Sequence, residues 1–337
     1  MPTILDVAKQ AGVAPITVSR VINNSGYISQ ATRERVEAAV KELGYVPNTL
    51  ARGLRSKQTK TLALVVTDIT NPYFTLMARG VEDIAGASSY SVVYCNTDES
   101  EAKEENYANL LAQRQVDGVL LVPSCGKVKT IKFLLSNDIN VVALDRRVTG
   151  IEIDSVLSDS VNGAYQLVKL LIGLGHKRIA MITGPKDVST SVDRVIGYQR
   201  AFAEANLGEN ELVYYGTFNQ ESGYEFTKQA MTQSPRPTAI FGANNFIAIG
   251  IIKALRDLQI DVPGDVSIGA FDDFPESMLV APFLTFVEQP AYEMGRVATE
   301  LLLKRISGEL TGGYQKLILP TQIIERGSTG PNRNNNG

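Results

Sequence analysis

Asp272 and Asp273 form a neighbouring carboxylate pair of the kind that acid–base catalysis uses. Adjacent residues on one loop rarely face a common substrate, however, and no nucleophile–base pair accompanies them. His176, the single histidine, lies beside Lys177 and Arg178 before an apolar run, where a structural or surface role is favoured over catalysis or metal binding. Cys95 and Cys125 are the only cysteines and form no Cys-x-x-Cys, so disulfide scaffolds and zinc fingers are excluded. Gly184-Pro185 and the other glycines complete neither a Gly-x-Gly-x-x-Gly nor a phosphate-loop signature, so nothing supports a nucleotide cofactor. The expectation is therefore no enzyme, no catalytic residue, no metal and no cofactor. Recognition is the chemistry left. Asn71-Pro72-Tyr73-Phe74 combines an amide, which satisfies hydroxyls, with aromatic faces that stack on the C–H surface of a sugar ring.

A second set suits a polyanion. From Met1 to Lys60 the net charge is +5, which leaves −8 for the remainder of a chain whose total is −3. Cationic side chains that neutralise phosphates release condensed counterions, so a basic head on an acidic body suits nucleic acid; a solvated basic face is the competing reading.

These groups need elements to place them. Thr3-Ile4-Leu5-Asp6 has the form of a capping box and predicts a helix from Ile4 to about Ala11, with Gly12 supplying a left-handed turn. Pro15 fits the first position of a second helix reaching Ile22, and Asn23-Asn24-Ser25-Gly26 breaks the chain. Ser29 caps a third helix, with Val36, Ala39, Val40 and Leu43 at helical spacing before Gly44. Helix, tight turn and helix is the arrangement of a helix-turn-helix module. Residues 48–56 read as a marginal helix weakened by Gly53, able to fold only against a partner.

From Leu62 the pattern changes to strand-like runs opening at Leu62, Ser91, Gly118 and Val141, and again at Ile179, Leu212, Ala239 and Ser267. Spacings of 23 to 33 residues leave room for a crossover helix each time, so each series predicts a parallel sheet with helices on both faces. Two such lobes put a ligand at the carboxyl ends of the strands, in the cleft between them. No run approaches the ~18–20 apolar residues of a membrane span, and no signal-peptide pattern is read at the N-terminus, so a cytoplasmic location is expected.

Ile4-Leu5-Asp6-Val7-Ala8, Ala11-Gly12-Val13, Thr17-Val18-Ser19-Arg20-Val21-Ile22-Asn23, Thr32-Arg33-Glu34-Arg35-Val36 and Leu43-Gly44-Tyr45-Val46-Pro47-Asn48 closely resemble the headpiece of the LacI/GalR family of bacterial repressors. The resemblance runs on through Leu50-Ala51-Arg52-Gly53-Leu54 into a body like the periplasmic sugar-binding proteins, covering about Thr3 to Arg326. It implies an all-α helix-turn-helix headpiece over 1–46, a hinge helix and linker over 47–61, and an α/β body of two Rossmann-like lobes over 62–328. The N-lobe is expected over about 62–159 plus part of 288–319, the C-lobe over the rest, and a disordered tail over 329–337.

The side chains opening a recognition helix face base edges, which makes Pro15, Ile16 and Arg20 the base-reading candidates. Ile16 can touch a thymine methyl and Arg20 can hydrogen-bond guanine, against the alternative that Ile16 is core. Thr17, Ser19, Asn23 and Thr32 suit phosphate contact, with capping or solvated surface as the competing role, and Thr3 and Asn48 are further DNA-binding candidates. The resemblance implies that two hinge helices of a dimer pair in the minor groove. There Leu54 wedges the central base step, Ala51 keeps the backbones close, and Arg52 and Arg55 meet phosphates.

Similarity to ribose-binding proteins and ribose repressors implies an effector pocket of Asn71, Tyr73, Phe74, Asp145, Arg146, Arg194, Phe218, Asn244, Asp272 and Gln289. Tyr73 stands where the closest pattern has phenylalanine, and Asn245 departs from the usual Asn-Asp pair. The competing readings are a loop ion pair for Asp145-Arg146 and helix-start core for Tyr73 and Phe74. The expected protein is a homodimeric repressor of a pseudo-palindromic operator whose affinity is set by a small sugar, best ribose. A catabolite-type regulator under a phosphorylated carrier protein and a corepressor-dependent regulator are the alternatives. A transport receptor and a sugar-processing enzyme are the competing classes.

Overall fold

The computed structural model describes residues 2–46, 58–124, 126, 128–208, 211–273 and 282–333. The chain divides into two compact units, Met1–Thr59 and Lys60–Gly337.

In the first unit the helices stand where the caps place them. Helix α1 (Ile4–Ala11) opens on a complete capping box: the Asp6 carboxylate accepts from the Thr3 amide at 2.8 Å, and Thr3 Oγ1 accepts from the Asp6 amide at 3.4 Å. Gly12, at φ +63°, closes it. Helix α2 (Pro15–Ile22) begins on its proline, and α3 (Gln30–Leu43) is capped by Ser29 and ended by Gly44. Val7, Ala8, Ala11, Val18, Val21, Val36 and Ala39 form the core the three helices share.

The second unit alternates strand and helix. Its N-lobe sheet draws on β1 (Thr61–Val66), β2 (Ser91–Asn96), β3 (Gly118–Leu121), β4 (Asn140–Leu144), β5 (Asp154–Ser158) and β11 (Lys316–Leu319), in the order β11-β5-β4-β3-β1-β2 with every pair parallel. The crossover helices are α4 (Pro72–Ala87), α5 (Glu101–Gln113) and α6 (Lys129–Ser136). The chain then enters the C-lobe through α7 (Ser160–Gly173). There β6 (Ile179–Thr183), β7 (Leu212–Tyr215), β8 (Ala239–Gly242), β9 (Ser267–Phe271), β10 (Thr285–Glu288) and β12 (Gln322–Ile324) lie in the order β12-β10-β9-β8-β6-β7. All are parallel but β12, which runs antiparallel to β10. Helices α8 (Ser189–Glu204), α9 (Gln220–Met231) and α10 (Asn245–Asp257) cover this sheet, and α11 (Ala291–Ser307) returns to the N-lobe. Helices on both faces leave β3, β6, β8 and β9 wholly buried and β4 buried beyond its first residue, which is why these strands read as apolar runs.

The eight expected strand openings each coincide with a strand to within a residue. Residues 329–333, expected to be disordered, are not: the Gly330 carbonyl accepts from His176 Nε2 at 3.0 Å, and the Asn332 amide donates to the Leu174 carbonyl at 2.8 Å. Small polar side chains at the base of β9 satisfy this segment's backbone, among them Ser267, whose Oγ accepts from the Gly330 amide at 3.0 Å. Among the described residues no helix is long and apolar enough to cross a membrane.

Candidate functional site

Sheet order reverses at β1 in the N-lobe and at β6 in the C-lobe, and the loops beyond these strands diverge to leave a crevice. Between the lobes lies a cavity of about 570 Å³. All ten expected effector residues line it: Asn71, Tyr73, Phe74, Asp145 and Arg146 from the N-lobe, Arg194, Phe218, Asn244 and Asp272 from the C-lobe, and Gln289 from the return to α11.

Each is placed by a local device. Asn71 and Asn244 are the N-caps of α4 and α10, accepting from the Tyr73 and Ile247 amides at 3.0 and 2.8 Å. Asp145 and Asp272 follow β4 and β9 with φ of +62° and +57°, and their amides donate to Val156 and Val287 on the neighbouring strands. The left-handed turn, which aspartate tolerates better than most residues, ends the strand and turns the carboxylate to the cavity in both lobes. The Phe218 ring lies over Gly184, where a Cβ would approach it to 2.4 Å.

The polar groups are already partly engaged. Tyr73 donates its hydroxyl to Asp145 Oδ1 at 2.8 Å; burial and the Asp145 charge push its pKa well above the usual tyrosine value, so it stays a donor. Gln289 accepts from Ser158 and donates to Asp272 Oδ2 at 2.7 Å. Burial raises Asp272 to about 7, against the opposing pull of Arg194 and the Gln289 hydrogen bond. The Arg194 guanidinium stacks on the Phe271 ring at 4.1 Å and donates to the Ala243 carbonyl, and burial lowers its pKa. Arg146 and Arg194 each keep a buried Nε–H with no hydrogen-bond partner among the described residues. Buried donors facing carboxylates and aromatic rings are the complement of a polyhydroxylated ring.

Several competing readings are resolved by these contacts. Arg146 is paired mainly to Glu99 and lies 3.8 Å from Asp145, so Asp145-Arg146 is not merely a loop ion pair. Tyr73 and Phe74 belong both to the N-lobe core and to the cavity wall. Asp273 turns to Arg326 while Asp272 lines the cavity, so the adjacent carboxylates do not act together. His176 is structural, held by Thr238 Oγ1 at 2.9 Å and by Gly330. Glu99, Thr67, Asp68, Asp98 and Thr190 also line the cavity and were missed from sequence.

In the headpiece, Pro15, Ile16, Ser19, Arg20 and Asn23 recur at the spacing of one helix face, opposite the buried Val18 and Val21. Ile16 is 50% exposed and outside the core, against the core reading. Thr17 is half-buried. Thr3 is occupied by its capping box, Asn23 Nδ2 donates to the Ser19 carbonyl at 2.8 Å, and Thr32 Oγ1 accepts from Ser29 at 2.9 Å, so these three already have capping roles. Leu5 and Tyr27, 63% and 94% exposed, are further apolar surface the sequence pattern did not single out. Asn48, Ala51, Arg52, Leu54 and Arg55 lie outside the described residues.

Comparison with known proteins agrees with this architecture. The lacI family of bacterial regulatory proteins matches residues 3–48, and the periplasmic binding protein-like domain matches residues 168–329. The ribose operon repressor of Halalkalibacterium halodurans is 38% identical over 98% of this chain and 97% of its own. Catabolite control protein A of Priestia megaterium is 35% identical over 97% of this chain and 99% of its own. The solved lac repressor dimer bound to operator and the anti-inducer ONPF superposes with a TM-score of 0.86 at 28% identity, covering 98% of this chain and 99% of that one.

Proposed function

The chain belongs to the LacI family of bacterial transcription regulators, and on that premise we propose that it is a homodimeric repressor whose operator affinity is set by ribose bound between its lobes. The observation that carries the effector is the cavity itself: ten residues scattered from Asn71 to Gln289 line one space of about 570 Å³. Its donors and acceptors stand among the aromatic side chains of Tyr73, Phe74, Phe218 and Phe246, which suits a small polyol. The ribose operon repressor among the relatives supports the choice of sugar.

Dimerisation is supported by the lac repressor dimer and by the N-lobe edge. Strand β2 ends its sheet with Val93 and Tyr94 exposed, and Leu76 of the adjoining α4 is 51% exposed. An uncovered apolar edge is a surface that an isologous contact buries. Two headpieces so joined match two half-sites of a pseudo-palindrome, with Ile16 and Arg20 toward the bases.

Ribose closes the lobes around itself, and the shift at the dimer contacts weakens operator binding; by linkage, operator weakens ribose binding by the same factor. Calorimetry of the purified protein with ribose and related sugars, followed by operator binding with and without the best ligand, tests the proposal. Saturable ribose binding that is lost in Asp272→Ala, together with reduced operator affinity, supports it. Operator affinity that rises with ribose reverses the sign and makes ribose a corepressor. Operator binding with no response to any sugar overturns the effector and brings forward control by a phosphorylated carrier protein.

A further inference from the structure

Arginine binds carboxylates and phosphates through its paired terminal N–H groups, so a buried arginine in a ligand cavity ordinarily marks an anion site. In Arg146 that fork is occupied. Glu99 accepts from Nη1 and from Nη2, each at 2.6 Å, and the Pro123 and Ser124 carbonyls accept from Nη1 at 3.0 and 3.2 Å. What remains for a ligand is the side-on face: the buried Nε–H, which has no hydrogen-bond partner among the described residues, and the second N–H of Nη2. The pairing is built into the backbone. Asp98 and Glu99 are consecutive residues at φ +51° and +58°, a conformation L residues disfavour. Asn96 holds the turn by donating to Asp98 Oδ1 at 2.6 Å and accepting from the Ile69 amide at 2.9 Å, and Lys103 pairs with Asp98. A turn so braced delivers the Glu99 carboxylate to an arginine whose side chain is 6% exposed.

We infer that Glu99 is a positioning residue that sets the charge specificity of the cavity. It offsets the charge of Arg146 and takes up its end-on N–H pair, leaving only the side-on N–H groups for a ligand, so the cavity accepts an uncharged polyol and rejects phosphate monoesters and sugar acids. Asp68, lining the same space, adds to the rejection. Arg194 does not offset it, because Asp272 and Asp145 both face that cation. The inference rests on the cavity being the effector site, but it does not need ribose to be the effector.

The test uses inorganic phosphate as the probe, added to the full-length protein at constant ionic strength while thermal unfolding is followed. Glu99→Gln keeps the shape of the side chain and removes its charge, which frees the Arg146 fork. The expected result is a saturable rise of the unfolding midpoint with phosphate in Glu99→Gln, none in the wild type, and none in Glu99→Gln/Arg146→Gln. In parallel, the preference for ribose over ribose 5-phosphate falls by about tenfold or more in Glu99→Gln. Should the amide variant fail to fold, Glu99→Ser carries the same titration. Equal phosphate responses in wild type and variant, no response in either, or a response that persists without Arg146 overturns the assignment. Absence of sugar binding by the wild type defeats the effector reading alone, since the phosphate comparison stands without it.

Discussion

Asn71 and Asn245 meet across the cleft as a reciprocal amide pair. Asn71 Nδ2 donates to Asn245 Oδ1 at 3.2 Å, Asn245 Nδ2 donates to Asn71 Oδ1 at 2.9 Å, and both side chains are buried. The first is the N-cap of α4 in one lobe and the second opens α10 in the other. Arg147 and Asp193 form a second cross-cleft link, with Arg147 Nε donating to Asp193 Oδ2 at 3.1 Å, and beside it the Arg147 backbone amide donates to Ser189 Oγ at 2.8 Å.

Because Asn71 Oδ1 also accepts from the Tyr73 amide, the Asn71 side chain cannot turn over without losing its cap. Asn245→Ala therefore strands a buried donor, and the expected loss is roughly 1–3 kcal/mol with an unchanged denaturant slope. Asn245→Asp costs a comparable amount that grows with pH, since its second oxygen faces the Asn71 acceptor. Urea unfolding at several pH values checks both; an Asp variant as stable as the wild type at alkaline pH contradicts the argument.

Asp272 makes the protein pH-sensitive in an uncommon direction. Its folded pKa of about 7 lies above the ordinary 3.8. Between those values the folded state holds a proton that the unfolded state has released, so this group's contribution to stability is fully present below about 4 and falls as pH climbs to about 7. Asp272→Asn removes that slope. Ribose hydroxyls that donate to the carboxylate bind its ionised form, so affinity rises with pH up to about 7 and then levels. Calorimetric titrations from pH 5 to pH 9 check this, and an affinity flat across the range contradicts it.

Ile16 and Arg20 separate DNA recognition from headpiece stability. Ile16 is half exposed, so Ile16→Ala is expected to change the headpiece's unfolding midpoint little while weakening operator binding. Arg20→Met is expected to relax discrimination at one base pair by about 1–3 kcal/mol and to lower the salt dependence only if the contact is to phosphate. Fluorescence anisotropy against single-base operator variants distinguishes the two; equal losses on every variant identify Arg20 as a backbone contact.

The strands readable from sequence are the eight that alternate with helices at crossover spacing; the central ones read as apolar runs because both faces are covered, whereas the partly exposed edge strands β2 and β7 were found by spacing. Strand β5 escaped notice because Val156 and Leu157 are its only large apolar residues. Its polar ends have work elsewhere: Asp154 accepts from Arg305 Nη2 at 3.0 Å, and Ser158 donates to Gln289. Strands β10, β11 and β12 were hidden for a topological reason. They lie where the chain crosses back between lobes, outside the regular strand-helix repeat. The cavity residues were legible through family resemblance, whereas Glu99 was not. Asp98-Glu99-Ser100 reads as an ordinary polar turn, and nothing in its spacing reveals that two consecutive left-handed residues aim it at Arg146.

Gly184 shows how a residue with no side chain shapes the site. A Cβ at this position would stand 2.4 Å from the Phe218 ring, inside any allowed contact. Gly184→Ala must displace that ring, and the room available to it is the cavity it lines. The expected outcome is a stability loss of about 1–3 kcal/mol, typical of overpacking, and a larger proportional loss of ligand affinity as the ring takes ligand space. Shortening the displaced side chain should relieve the conflict, so Gly184→Ala/Phe218→Leu is expected to bind ligand better than Gly184→Ala although Phe218→Leu alone binds worse than wild type. A double-mutant cycle on ligand affinity measures the coupling, and strictly additive losses mean that Gly184 and Phe218 act independently.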